Sequence, residues 1–257
     1  MRHYLLCFLS LIFLLTSLEI GFSQPTGLWV AQKIEEREKG NDASLKIDMA
    51  LIDKKCRERQ RKLFIIRKDF KGKDKLLLRF TYPKDINGTS FLVWEHKGRD
   101  NERFLYLPAL GRIRRIVTRE KDENFAGTDF SYEDISGRKL EDYTYKLIEE
   151  KTVYEEKNCY LLASYPKEKD SRYPKILSWV RKDNFVTIKA QYHNKKGEAE
   201  KTYKVLRLEK IDGIWTALGL SMENHKTSHK TFINVKDVLY NKGIPGRRFE
   251  RRALPRN

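Results

Sequence analysis

"SLKIDMALI", residues 44–52, sets Leu45, Ile47, Met49 and Leu51 against Lys46 and Asp48. Strict alternation of this kind puts apolar side chains on one face of a strand and charged ones on the other. The style returns in "RERQRKLFIIRKDF", "KLLLRFTYP", "TSFLVWEH", "ERFLYLP" and "RIRRIVTR", and again from "DYTYKLIEEK" through to "HKTFINVKDVLY". Turn residues such as "KDING", "HKGRDN", "NKKG" and "DG" separate the runs. About a dozen short strands joined in chain order predict one large meandering antiparallel sheet, which at that size must curl or close. The expected class is mainly β, with function decided by whatever fills the concave face.

Two segments break the pattern. "TGLWVAQKIEEREKG" reads as a helix, with Leu28, Ala31 and Ile34 on one stripe, Thr26 as cap and Gly40 as stop. From about Arg119 to Leu140 the strand pattern fails for longer than connections in compact domains usually run. Within that gap "SYED" is a capping box, Ser131 capping and Asp134 reaching back. Asp129 and Glu133 suit the positive end of a short helix. Arg112, Arg114 and Arg115 just upstream are candidates to pair with these acids or to hold phosphate headgroups.

Arg2 and His3, the apolar run "YLLCFLSLIFLLTSL" and the small residues of "GFS" before Gln24 read as a secretory signal peptide, residues 1–23. Residues 24–257 then form a single domain, with no Pro- or Ser-rich linker and no internal repeat. Lys and Arg number 53 against 36 Asp and Glu, a net charge of +17. Such an excess attracts polyanions, and export turns the choice from nucleic acid towards anionic membrane surfaces. The densest basic patch is "GRRFERRALPR" at 246–256. Cys56 and Cys159 could pair in an exported compartment, but the reading is of two separate thiols.

No nucleophile elbow, H-E-x-x-H, paired C-x-x-C or phosphate-cradling glycine loop is present, so the expectation is a protein that is not an enzyme and has no metal or cofactor. His225 and His229 are four apart in "HKTSH", but the region reads as a hairpin, which holds them too far apart to share a metal.

"FTYPKDINGTSFLVWE", "RFLYLPALGRIRRI" and "FAGTDFSYEDI" resemble the outer-membrane lipoprotein-sorting (LolA-like) protein family, in its branch of uncharacterised exported proteins. The likeness extends through "YPKILSWVRKDNFVTIKAQYHNKKGEAEKTYKV" and "WTALGLSMEN". It implies an unclosed antiparallel barrel wrapped over a few helices, with an apolar cavity that shields acyl chains in the periplasm. The implied partners are a lipid or acylated protein, an inner-membrane exporter and an outer-membrane acceptor, with the carrier a monomer. Candidate cavity and lid residues are Phe91, Trp94, Tyr106, Phe125, Phe130 and Tyr132. Gly127 and Gly137 are candidate hinges, and Arg112, Arg114, Arg115 and Asp129 candidate headgroup or lid ion pairs. The physical need is plain: an acyl chain in water costs about 0.8 kcal/mol per methylene, so a two-chain lipid faces on the order of 20 kcal/mol. The alternative is an adaptor that carries nothing and docks a transporter or an anionic envelope polymer through its basic surface.

Overall fold

The alternating runs become thirteen strands in the computed structural model, which describes residues 24–255. The expected signal segment lies outside the described residues. The strands are β1 (Asp42–Ile52), β2 (Glu58–Asp69), β3 (Asp74–Tyr82), β4 (Ser90–Trp94), β5 (Glu102–Leu107) and β6 (Arg112–Ile116), followed by β7 (Tyr143–Tyr154), β8 (Lys157–Pro166), β9 (Lys175–Arg181), β10 (Thr187–His193), β11 (Ala199–Ile211), β12 (Ile214–Asn224) and β13 (His229–Tyr240). All pairings are antiparallel within one sheet of order β6-β5-β4-β3-β2-β1-β13-β12-β11-β10-β9-β8-β7.

A meander in simple chain order would leave its first and last strands as edges. Here β1 pairs with β13, from Ala43 opposite Tyr240 to Ile52 opposite Lys230, and the open edges are β6 and β7. Those two strands are neighbours in sequence, joined by the longest link in the sheet, residues 117–142. The non-strand stretch therefore fills the gap in an unclosed barrel, and its backbone groups find partners there.

The helix α1 (Gly27–Glu35) starts at Thr26, whose hydroxyl accepts from the Trp29 amide at 3.1 Å. It turns Gly27, Val30 and Ala31 inward, while Leu28 is 49% exposed. The expected stripe is thus off by a position, because the helix rests on strands through its small residues and not through leucine. It also ends at Glu35, short of Gly40. Val30 and Ala31 sit against Tyr160, Leu162 and Val180 on the concave face. A Cβ on Gly27 would lie 2.7 Å from the Leu147 amide nitrogen. Gly27→Ala is expected to lift the start of α1 off β7 and cost about 1–3 kcal/mol, checked by the melting temperature.

The main core lies on the concave face, where Leu78, Phe80, Phe91 and Val93 meet Phe125, Phe130 and Tyr132 of the link. The opposite face of β2–β5 has its own cover, the C-terminal segment, with Phe249 and Leu254 against Ile66, Leu77, Leu92 and Phe104. Asp42 fastens this segment by accepting from the amides of Lys242, Gly243 and Ile244 at 2.9, 2.9 and 3.0 Å. Cys56 is exposed and Cys159 buried, both free.

Candidate functional site

Large side chains along neighbouring strands would fill the space under α1. Instead the wall carries Ser164 on β8, Ser178 on β9, Ala190 on β10 and Ala217 on β12, with Ala31 on the helix. Ala190 stands directly opposite Ser178 across the ladder. These small residues leave a cavity of about 490 Å³ between α1, the concave sheet and the link. The rest of its lining is mostly aliphatic and aromatic. Apolar space of this size is on the scale of small-molecule binding sites.

The charged lining residues are Glu35 at the end of α1 and, on α2 (Tyr132–Ser136) and just beyond it, Asp134 and Arg138. Ser131 caps α2 as the sequence predicts: its Oγ accepts from the Asp134 amide at 3.0 Å, and the Asp134 carboxylate accepts from the Ser131 amide at 2.8 Å. The same carboxylate pairs with Arg138, one turn on, and accepts from the Tyr192 hydroxyl at 3.1 Å. Arg138 lies 5.0 Å over the Tyr192 ring and 3.8 Å from Glu133, with its Nε left without a hydrogen-bond partner. Behind it the Tyr143 hydroxyl donates to Glu133 at 3.1 Å, and Lys121 sits 3.5 Å from Glu133 and 2.7 Å from Glu168. Burial alone would raise the Asp134 carboxyl; Arg138, the Ser131 amide and Lys201 outweigh it and hold it below the usual range. Burial likewise pushes the Tyr192 hydroxyl well up.

Of the predicted cavity residues, Phe130 lines the cavity. Phe125 and Tyr132 are instead buried beside Phe91, with Phe125 5.8 Å from Phe80, 5.3 Å from Phe91 and 5.6 Å from Tyr132. They seat the link on β3 and β4. Trp94 and Tyr106 point to the opposite face, where the Trp94 indole donates to the Phe249 carbonyl at 2.7 Å. Alternation on β4 puts Phe91 and Trp94 on opposite faces, three residues apart.

The arginines of β6 do not reach the acids of the link's short helix. Arg114 pairs with Glu120, and Arg115 lies 3.9 Å from Glu102; Arg112 is exposed at the sheet edge. Asp129 finds distant partners: its carboxylate accepts from Thr231 at 2.8 Å and is 2.6 Å from the His229 ring. The fully buried Lys201 donates to the Asp129 carbonyl at 2.7 Å and to Asn124 at 3.1 Å. Arg61 donates to the Ala126 carbonyl at 2.5 Å. Gly127 and Gly137 have φ of +71° and +79°, which favours glycine. Sequence reading missed Arg138, Tyr192, Tyr143 and Lys201. Only Asp134 and Arg138, four apart in "DISGR", carried a readable local signal.

An open antiparallel barrel that curls over two helices and an apolar cavity defines the LolA-like class. The fold superimposes on a LolA superfamily protein from Nitrosomonas europaea with a TM-score of 0.70 at 18% identity, over 89% of this chain and 99% of that one. It matches a crystal structure from Vibrio parahaemolyticus, described as a candidate outer membrane lipoprotein-sorting protein domain, with a TM-score of 0.84 at 30% identity, over 90% of this chain and 98% of that one. A DUF1329 family protein from Desulfovibrio piger matches with a TM-score of 0.84 at 29% identity, over 90% of this chain and all of the other. A family profile described as "uncharacterized protein" matches residues 72–256. The chain belongs to this DUF1329 family and shares the LolA-like fold. No curated protein sequence matches it.

Proposed function

We propose that the protein is a periplasmic carrier that shelters the acyl chain of a lipid or lipoprotein and moves it between envelope membranes. The observation that carries this reading is the cavity of about 490 Å³, built by small residues at wall positions where a filled core would place large ones. A chain that merely needed stability would close such a space, since voids cost contacts on every side. The lipoprotein-sorting description of one relative supports the same role. In this reading the donor is an inner-membrane exporter and the acceptor an outer-membrane protein. No helix among the described residues is long and apolar enough to cross a membrane.

The part of the link that carries Phe130, Asp134, Ile135 and Arg138 is then the gate, turning at Gly127 and Gly137. The acyl chain lies along Phe130, Met222 and Ile233. The Arg138 guanidinium, paired with Asp134 and close to Glu133, is the charged group of this gate. In this reading the chemistry is binding.

Native mass spectrometry of protein purified from the periplasmic fraction tests the proposal. A co-purifying lipid or lipopeptide mass in a 1:1 complex is expected. A clean unliganded mass, together with no displacement of an acyl fluorophore, would leave the adaptor reading instead.

A further inference from the structure

On the face of the sheet away from the cavity, the C-terminal segment and β3 enclose a second groove, of about 470 Å³. Arg247, Arg248 and Arg252 stand along it, Arg79 is buried at its base, and Phe64 and Leu77 form its apolar floor. No carboxylate is among the described residues that line it. Arg252 pairs with Glu250 at the rim, whereas Arg247 and Arg248 have no acidic partner among the described residues.

Arg79 is held in place, and Arg248 packs on an aromatic ring. Arg79 is fixed by Ser90 at 2.8 Å and donates to the carbonyls of Ala253 and Leu254 at 2.8 and 3.0 Å. Arg248 lies 5.8 Å over the Phe64 ring, as does Arg79. Burial lowers the Arg79 guanidinium from its usual value, and Arg248 beside it lowers it further. Two guanidiniums thus stand within reach of one aromatic ring, which concentrates positive charge at this end of the groove. The tail that carries three of the four arginines is fastened by Asp42 and Trp94, so little ordering is left to binding.

We propose that this groove is a binding site for a phosphate-bearing anion, separate from the acyl cavity. Arginine forks match phosphate oxygens bidentately, and Thr81 and Asn87 on the rim add neutral hydrogen-bonding groups. The inference does not depend on what the cavity holds. Phosphate chemistry could come from a lipid headgroup or from a free phosphorylated compound.

The test is calorimetric titration of the protein with inorganic pyrophosphate, beside flotation with phosphatidylglycerol–phosphatidylcholine vesicles. Saturable binding of one pyrophosphate is expected. The double variant Arg247→Gln, Arg248→Gln should weaken it about tenfold or more, as the loss of charge-assisted hydrogen bonds predicts. The pair Lys195→Gln and Lys196→Gln, in the β10–β11 turn, removes the same charge and should leave it unchanged. Arg247 is exposed, so a loss from Arg247→Gln alone is not a folding defect. If pyrophosphate also releases the vesicles, the anion is a headgroup; if vesicle binding ignores the groove variants, it is a free compound. Equal losses from both double variants would mean diffuse surface charge and overturn the site. So would pyrophosphate binding that never saturates.

Discussion

Ala190→Phe abolishes acyl retention while the protein keeps or gains stability. Ala190 faces Ser178 across β9 and β10, and its side chain borders the cavity of about 490 Å³. A phenyl ring added there occupies the space an acyl chain would take and gains apolar contacts with Phe130, Ile176 and Met222 nearby. Cavity-filling changes commonly add about 0.5–2 kcal/mol, which for a domain of this size raises the melting temperature by roughly 1–8 °C. Overpacking could offset part of that gain. Activity and stability should therefore move in opposite directions, a split that a damaged fold cannot produce. The measurements are acyl-fluorophore affinity and thermal melting of the same preparation. Unchanged affinity beside an intact melt would show that cargo does not use this cavity.

Arg138→Met is the second large effect, and it acts on stability first. It leaves the Asp134 carboxylate buried without its cation, and breaking such a pair costs about 3–5 kcal/mol. The melting temperature at pH 7 should fall by roughly 6–20 °C. Adding Asp134→Asn to Arg138→Met should recover part of the loss, because neither partner is then an uncompensated charge. The pH dependence changes sign between the two proteins. In the native protein the Asp134 carboxyl is held below its unfolded value. Its contribution is thus present above the unfolded value of about 3.9 and lost as pH falls through the folded one. In the Arg138→Met variant burial acts with less opposition and raises the carboxyl, so that variant should gain stability as pH falls from 7 towards 5. A variant as stable as the native protein, with no such slope, would remove Arg138 from the account.

The strands, their tight turns, the Thr26 cap and the Ser131 capping box were legible because each depends on residues a few positions apart. Alternation also showed which side chains share a face of each strand, and its failure over residues 119–140 marked the link as something other than sheet. Local pattern could not say which face closes on which partner. Trp94 and Tyr106 read as cavity aromatics, yet they lie under Phe249 and the C-terminal segment, far along the chain. Asp129 read as a helix-dipole acid, yet it is bonded to Thr231 and His229, about a hundred residues away. The cavity is harder still to foresee. Ser164, Ser178, Ala190 and Ala217 are ordinary small residues on four separate strands, and they border one void only because the sheet curls them around it, with Ala190 directly opposite Ser178. Likewise, the pairing of β1 with β13 moved the open edge of the sheet to β6 and β7. Alternation has a period of two and a reach of one strand, so it sets what each strand can bury. Only closure of the sheet, through contacts far apart in the chain, decides what is buried against what and where space is left.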